Sequence, residues 1–92
     1  MRARKIDDNQ TLIVKQLRRC GVSVAITSMV GKGFPDLICG LRGRNYLIEL
    51  KDGAKSASRK QLTTDEKEFH DAWAGQVNKA ESFDEIKLII GL

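Results

Sequence analysis

Apolar residues recur at helical spacing in the first third of the chain, within the stretch QTLIVKQLRRC. Asp7 lies ahead of this stretch and Gln10 opens it, with the spacing of a capping box, and Gly21 follows it as a stop signal. We therefore expect a first helix that opens at this box and ends at Gly21.

The period changes to two in VSVAITSM, where apolar residues alternate with small or polar ones, and this predicts the first strand. A GKG turn then leads to two short runs of strand-forming residues, DLICGL and NYLIELK. Arg42, Gly43 and Arg44 separate the two runs and suit a hairpin loop with the glycine at a positive φ angle. The two runs are therefore expected to pair antiparallel.

The second half of the chain is predicted to be a loop, a helix, a strand and a helix. DGAKSASRKQ lacks periodicity, and Thr63 with Glu66 then forms a capping box for a helix that runs to Gly75. QVNKA is predicted as the fourth strand, and Ser82 with Glu85 forms a third box ahead of IKLII. The predicted fold class is α/β, with the order αβββαβ and a short carboxy-terminal helix.

Length and composition limit what such a fold can hold. The chain has 92 residues, 41% hydrophobic and 30% charged, which predicts one folded domain over residues 1–92 with one core and one site. No apolar leader opens the sequence and no stretch is long enough to span a membrane, so we expect an intracellular protein without a membrane partner. Cys20 and Cys39 lack the spacing of a zinc site, and both are expected to be buried small hydrophobes.

Three charged residues interrupt the apolar runs of the predicted hairpin. Glu49 and Lys51 project from one face of their strand, because alternate strand residues share a face. Antiparallel pairing brings Asp36, at the start of the first run, close to Glu49. Converging carboxylates repel each other unless a cation lies between them, and Mg²⁺ binds to one or two carboxylates with water. The arrangement therefore predicts a divalent metal site.

A structural interpretation of the same residues stays open, because an acid followed by Glu-x-Lys arises often by chance in a highly charged chain. Asp36, Glu49 and Lys51 would then form a salt bridge or a solvated strand end. The formal net charge of +4 and the basic clusters near Arg42 and in KSASRK are compatible with a polyanionic partner, but they also suit ordinary surface charge.

The spacing around these charges resembles that of a known nuclease superfamily. Pro35-Asp36, followed after twelve residues by Glu49-Leu50-Lys51, resembles the PD-(D/E)XK signature. KGFPDLI and YLIELKDG, with a helix before them and a helix opening LTTDE after them, are similar to the VRR-Nuc family of virus-type replication-repair nucleases. This resemblance implies a restriction-endonuclease-like core and a Mg²⁺- or Mn²⁺-dependent DNA nuclease. In small stand-alone members from phages and prophages, it further implies cleavage of four-way (Holliday) junctions.

The resemblance also implies roles for individual residues. Asp36 and Glu49 match the metal ligands, and the main-chain carbonyl of Leu50 would complete the protein share of the metal shell. Lys51 matches the catalytic lysine, which orients the attacking water and offsets charge on the phosphate. Gln10 matches a glutamine that lines the active site, while a solvated or capping role for it remains an alternative.

Two departures from the family pattern fall on the predicted helices. Where members often carry a glutamate on the first helix, this chain has only Asp7, Asp8 and Asn9, so a second metal is not predicted. Glu66 stands where members often have a glutamine, and we expect it to act as a helix cap.

Two ring side chains of the second predicted helix are assigned structural roles. His70 is expected at the helix surface or in packing, because metal-assisted hydrolysis needs no imidazole. Trp73 is expected in the core, four residues after Phe69 on the same helix face.

The expected partner is branched DNA, and the expected assembly is a homodimer in the cytoplasm of a bacterial host, encoded by a phage or prophage. Two further functions are considered: a non-catalytic junction-binding or assembly module, and a sequence-specific restriction-type endonuclease. The residues predicted to bind DNA phosphates are Lys32, Arg42, Arg44, Lys55, Arg59 and Lys60.

Overall fold

The computed structural model of the protein describes residues 9–92. Within that range all three helices and all four strands that the pattern predicted are present, in a compact α/β arrangement. The loop predicted between the third strand and the second helix contains a short 3-10 helix. The elements are α1 (Gln10–Arg19), β1 (Ser23–Ile26), β2 (Leu37–Leu41), β3 (Arg44–Leu50), the 3-10 helix (Ala57–Lys60), α2 (Thr64–Ala72), β4 (Asn78–Ala80) and α3 (Phe83–Ile90).

The four strands form one mixed sheet in the order β1-β2-β3-β4. β1 with β2 and β2 with β3 are antiparallel, and β4 is parallel to β3 because the chain crosses over through α2 between them. The predicted antiparallel hairpin is confirmed, with Leu37 opposite Ile48. This register decides which residues meet at the open end of the hairpin.

The hairpin turn is tighter than predicted. Leu41 pairs with Arg44, so the loop has only two residues, and both have positive φ angles, 52° at Arg42 and 79° at Gly43. The Arg42 side chain donates a hydrogen bond from its Nη1 to the carbonyl of Gly91, 2.7 Å away. The side chain therefore ties the turn to the end of α3.

One face of the sheet carries the hydrophobic core. Alternate residues of β2 and β3 point to this face, and α1 and α3 cover it. The opposite face bears Glu49 and Lys51, so the charged residues lie outside the main core. The buried apolar residues are Ile13, Val14, Leu17, Val22, Leu37, Cys39, Ile48, Leu50, Ala80, Ile86 and Ile90.

Several element boundaries differ from the predictions. β1 ends at Ile26 rather than Met29: the Thr27 amide still donates in register to the Asp36 carbonyl, but the Val30 amide then donates back to the Thr27 carbonyl and turns the chain. Asn9, not Asp7, precedes α1 directly, and Gln10 is therefore the first helical residue. Asp7 itself lies outside the described residues.

Two side chains predicted to be buried are exposed. Cys20 lies at the exposed end of α1, although Cys39 is buried in the core as predicted. Trp73 is 44% exposed and stacks on Phe69, with ring centroids 5.0 Å apart. The periodicity placed Trp73 correctly on the face of Phe69, but little of the protein covers that face.

The predicted caps of α2 and α3 are present in different forms. Thr63 and Glu66 form the complete box, whereas Ser82 accepts from the Glu85 amide and Glu85 accepts from the amide of Glu81. Among residues 9–92, no helix has the length and apolar character needed to cross a membrane.

Candidate active site

Asp36 and Glu49 meet at the open end of the β2–β3 hairpin. Since Leu37 lies opposite Ile48, the preceding residue Asp36 falls across from Glu49 on the face away from the core. The Asp36 carboxylate accepts a hydrogen bond from the Leu50 amide, with an Oδ2–N distance of 2.8 Å. The structure thus brings the two predicted carboxylates together and fixes the orientation of one of them.

The segment before Asp36 is held by Thr27. The Thr27 hydroxyl donates to the Pro35 carbonyl at 2.7 Å, and the Thr27 amide donates to the Asp36 carbonyl, also at 2.7 Å. Two hydrogen bonds therefore hold the backbone at Asp36, directly before β2.

The main-chain carbonyl of Leu50 faces the same side of β3 as Asp36. The Leu50 amide bonds to Asp36, whereas the amide of Lys51 bonds to Ala80 on the other side, at 2.9 Å. Because the N–H and C=O of one strand residue point to the same side, the Leu50 carbonyl turns toward the end of β2. This orientation is compatible with the ligand role implied for it.

Glu49 is the most unfavourably placed charge of the cluster. Its residue is only 1% exposed, and its Oε1 atom is buried without a hydrogen-bond partner. Burial raises the pKa of Glu49 well above its usual range, and the carboxylates of Asp36 and Glu66 raise it further. In the absence of a cation, the fold therefore favours a protonated Glu49.

A divalent cation fits this arrangement of acceptors. An unpartnered buried carboxylate oxygen opposite a second carboxylate is a site at which a positive ion offsets both desolvation and repulsion. Among residues 9–92, no three His, Cys, Asp or Glu side chains group as a metal cage. A cation here would thus take Asp36, Glu49 and the Leu50 carbonyl, with water, which is how Mg²⁺ is commonly bound.

Lys51 lies beside the carboxylates but is paired chiefly with Glu66. Its Nζ is 2.8 Å from Glu66 Oε1 and 3.8 Å from Glu49 Oε2. Burial by itself would raise the pKa of Glu66, but hydrogen bonds from Lys51 and from the Thr63 amide lower it below its usual value. Glu66 is therefore the charged partner of the lysine as well as the predicted helix cap.

Sequence reasoning missed the Glu66–Lys51 pair. Lys51 and Glu66 are fifteen residues apart in the chain and lie on different elements, so no local pattern links them. The capping box already accounted for a glutamate at position 66, so the sequence pattern did not indicate that Glu66 also pairs with Lys51. Only the resemblance noted above, in which Glu66 stands where members often have a glutamine, hinted at proximity to the site.

Gln10 is buried at the same end of the sheet. It is 3% exposed, and its Oε1 accepts a hydrogen bond from the hydroxyl of buried Ser28, 3.1 Å away. Ser28 follows Thr27, which bonds to Asp36, so Gln10 approaches the carboxylates from the side of α1. The alternative of a solvated Gln10 is wrong, and Ser28 is a neighbour that the sequence did not indicate.

Asn9 fastens the start of α1 to the end of β3. Its Nδ2 lies 3.3 Å from the Lys51 carbonyl and 3.4 Å from the carbonyl of Glu81. The first helix is thereby held against the residue that carries the site's amine.

Lys32, one of the predicted phosphate-binding residues, shares a cavity with Glu66. It is exposed, has a φ angle of 53°, and lines a cavity of about 260 Å³ together with Thr63 and Glu66. A phosphate bound at this cavity would therefore be adjacent to the Lys51–Glu66 pair.

The other predicted phosphate-binding residues lie elsewhere. Arg42 and Arg44 are at the closed end of the hairpin, and Arg44 is five residues along β3 from Glu49, or roughly 17 Å at strand geometry. Arg59 is exposed on the 3-10 helix, Lys55 is half-buried ahead of it, and Lys60 pairs with Glu81 at 3.3 Å. Arg42 and Arg44 therefore lie away from the carboxylates.

His70 lies one helical turn after Glu66. Its Nε2 atom is buried without a hydrogen-bond partner, and burial lowers its pKa. Burial therefore favours the neutral imidazole, and a packing role remains the prediction for it.

No protein-family model, no curated protein and no solved structure matches this chain. The functional interpretation consequently depends on the residues and distances given above.

We expect Glu49→Gln to raise the free energy of unfolding of the metal-free protein at pH 8 by about 1–3 kcal/mol. The unfolded chain releases this proton near pH 4.3, whereas folded Glu49 keeps it to a higher pH. The free energy of unfolding of the wild type therefore falls as pH rises above about 4.3. The amide variant has no proton to release and does not lose this stability. Urea unfolding in EDTA should show a gain that is absent near pH 4 and grows toward pH 8.

Glu68→Gln is the matched control, because Glu68 is exposed on α2. It should change stability by less than about 0.5 kcal/mol at either pH. A wild type that is at least as stable as the Glu49→Gln variant at pH 8 would contradict the electrostatic account of Glu49.

Proposed function

We propose that the protein is a divalent-metal-dependent DNA endonuclease with a PD-(D/E)XK active site, related to the VRR-Nuc family. The observation that carries this proposal is the buried, unpartnered Oε1 of Glu49, opposite Asp36 and beside Lys51. A purely structural cluster would gain stability from a partner for that oxygen, whereas a metal-dependent site leaves it available for a cation. The order of helices and strands around the cluster is also compatible with this superfamily.

Asp36, Glu49 and the Leu50 carbonyl would hold one Mg²⁺ or Mn²⁺ ion. When bound, such an ion lowers the pKa of a coordinated water and neutralises charge on the scissile phosphate. The hydrogen bond from the Leu50 amide keeps Asp36 directed at this position. The anchored backbone at Thr27 and Pro35 limits the movement of the same carboxylate.

Lys51 supplies the fixed positive charge of the proposed site. The residue is 8% exposed, and its ammonium group lies on the same face as Glu49, within reach of a phosphate placed at the carboxylates. It would orient the attacking water and stabilise negative charge that builds on the phosphate oxygens. Gln10, held by Ser28, would contribute a polar amide to the wall of the site.

The basic residues divide the proposed DNA surface into two regions. Lys32 would contact the backbone next to the scissile phosphate, and Lys55, Arg59 and Lys60 would contact it near the 3-10 helix. Arg42 and Arg44 would be reached only by DNA that extends roughly 17 Å along β3. Contacts at such separated points suit a substrate recognised by its shape.

We propose branched DNA, in particular a four-way junction, as the substrate, in the cytoplasm of a bacterial host of a phage or prophage. Reading a base sequence requires several side chains that reach base edges in a groove. A 92-residue chain whose helices α1 and α3 cover the core has few such side chains to offer. This argues against the alternative of a sequence-specific restriction-type endonuclease.

A non-catalytic junction-binding module is the second candidate. The observation that favours it is the short Lys51–Glu66 ion pair, because the ammonium is already engaged by a carboxylate. Against it stands the cost of placing carboxylates next to DNA phosphates, which weakens binding unless a cation reverses the local charge. Cleavage measurements separate the two candidates.

We expect the purified protein to cut labelled four-way-junction DNA in Mg²⁺ or Mn²⁺, and not in EDTA. Asp36→Asn, Glu49→Gln and Lys51→Ala should each lower the cleavage rate by at least about 10²-fold, because each removes a cation ligand or a charge that acts in the transition state. Linear, flap and splayed substrates of equal length reveal the structural preference. Circular dichroism should show an unchanged fold.

Glu68→Gln is the control for a change of charge outside the site and should leave the rate unchanged. Cleavage in EDTA would contradict a metal-dependent mechanism. Metal-independent junction binding by wild type and all three variants, without any cleavage, would favour the non-catalytic module.

We further propose that the working unit is a homodimer, since a four-way junction is resolved by two symmetry-related cuts and each chain offers one site. An apolar groove of about 550 Å³ between α1 and β1 is a candidate interface, and Ile26 at its edge is 52% exposed. β1 is the edge strand of the sheet within residues 9–92, and Arg18 partly caps that edge by donating to the Val24 carbonyl at 2.9 Å. Side-chain packing is therefore a better fit to this surface than strand addition.

Light scattering coupled to size exclusion should give the mass of two chains at micromolar concentration, and Ile26→Glu should shift it toward one chain. Leu88→Glu is the control, because Leu88 is 85% exposed on α3, away from the groove. A monomeric wild type that still produces paired symmetric nicks would contradict the dimer, and dissociation by Leu88→Glu alone would move the interface to α3.

A further inference from the structure

We propose that Glu66 is the positioning residue for Lys51: the first turn of α2 sets the place of the amine through one carboxylate oxygen. This inference rests on the nuclease function proposed above and adds a residue to it. Glu66 would not touch the substrate or the metal. It would act by holding the Lys51 ammonium relative to Asp36 and Glu49.

The ion pair itself is the first support. Lys51 Nζ is 2.8 Å from Glu66 Oε1, which is a full ångström closer than its distance to Glu49 Oε2. The two side chains are 10% and 6% exposed, so the pair is largely removed from water. A lysine side chain is a flexible four-carbon stem with several rotatable bonds, and a buried partner of this kind selects one of its many conformations.

The capping box fixes the carboxylate that holds the lysine. Glu66 Oε1 accepts from the Thr63 amide at 2.9 Å as well as from Lys51, and the Glu66 amide donates to the Thr63 hydroxyl at 3.3 Å. One oxygen therefore receives both the helix-start amide and the lysine ammonium. The partial positive charge of the helix N-terminus further favours an ionised carboxylate there.

The start of α2 is in turn held by the loop that leads into Asp36. Gly33 has a φ angle of 77°, and a Cβ atom at this position would clash with the Asp65 carbonyl and lie 2.7 Å from the Glu66 amide. Phe34 packs edge-on against Phe69, with ring centroids 5.3 Å apart. The loop that precedes Asp36 therefore also fixes the position of Glu66 at the start of α2.

These contacts connect the two halves of the proposed site. Asp36 follows the loop that contains Gly33, and Lys51 follows β3. Glu66 contacts both parts, because its helix packs on that loop and its carboxylate binds Lys51. Displacement of a catalytic group by about 1 Å can lower a rate by about 10²-fold. Loss of the Glu66 charge should therefore affect turnover much more than DNA binding.

Glu66→Gln is the informative variant, because glutamine keeps the size of the side chain and can serve in a capping box. It removes the negative charge that holds Lys51, the same charge that contributes to the raised pKa of Glu49. We expect kcat for junction cleavage to fall by about 10²-fold with KM nearly unchanged. Glu68→Gln, the same change on an exposed position of α2, should leave both values unchanged.

Ser82→Ala controls for a general loss of stability, because Ser82 caps α3 and accepts from the Glu85 amide at 3.1 Å. It should lower the urea midpoint without a fall in kcat. A reduction of kcat in this variant equal to that of Glu66→Gln would show that loss of stability explains both, and would overturn the positioning role.

A measurement without DNA or metal tests the pair directly. Proton–nitrogen correlation spectra of the lysine ammonium groups should contain a slowly exchanging signal in wild type, assigned to Lys51 by its absence in Lys51→Met. The signal should persist in Ser82→Ala and Glu68→Gln, and should disappear in Glu66→Gln. A signal unchanged in Glu66→Gln would overturn the inference.

The activity outcomes distinguish this inference from the proposed function. A wild type that cleaves DNA with metal, together with a Glu66→Gln variant of equal kcat, would overturn the positioning role and leave the nuclease proposal intact. A wild type that cleaves no DNA would overturn both, even if the ammonium signal depended on Glu66.

Discussion

The repulsion between the buried carboxylates of Asp36 and Glu49 is the constraint on which the proposed site depends. Placing two acids across a hairpin on a face with almost no water raises the pKa of Glu49 and leaves its Oε1 without a partner. A fold selected for stability alone would gain by replacing either acid with an apolar residue. We infer that the unfavourable arrangement is kept because a cation, when bound, makes it favourable.

The rest of the fold holds these acids at the required distance. The β2–β3 register places Asp36 across from Glu49, and the apolar face of the same strands is fixed by α1 and α3. A slip of one residue would move Glu49 into the core and Leu50 out of it. The hydrophobic face therefore specifies the geometry of the charged face, which links stability to the proposed chemistry.

The sequence predicted those parts of the structure that depend on strand period and local turns. The alternation in NYLIELK and the Arg42–Gly43 turn were sufficient to place Asp36, Glu49 and Lys51 together. The pairing of Lys51 with Glu66 and of Gln10 with Ser28 could not be predicted, because these contacts depend on how α2 and α1 pack on the sheet. Trp73 shows the same limit, since periodicity identifies a helix face without showing whether anything covers it.

Calorimetric titration of the EDTA-treated protein with Mn²⁺ tests the central claim most directly, because it requires neither DNA nor turnover. The account predicts saturable binding of one ion per chain to the wild type and to Lys51→Ala, and loss of that binding in Asp36→Asn and in Glu49→Gln. A wild type that binds no Mn²⁺, or acid variants that bind it as the wild type does, would contradict the account.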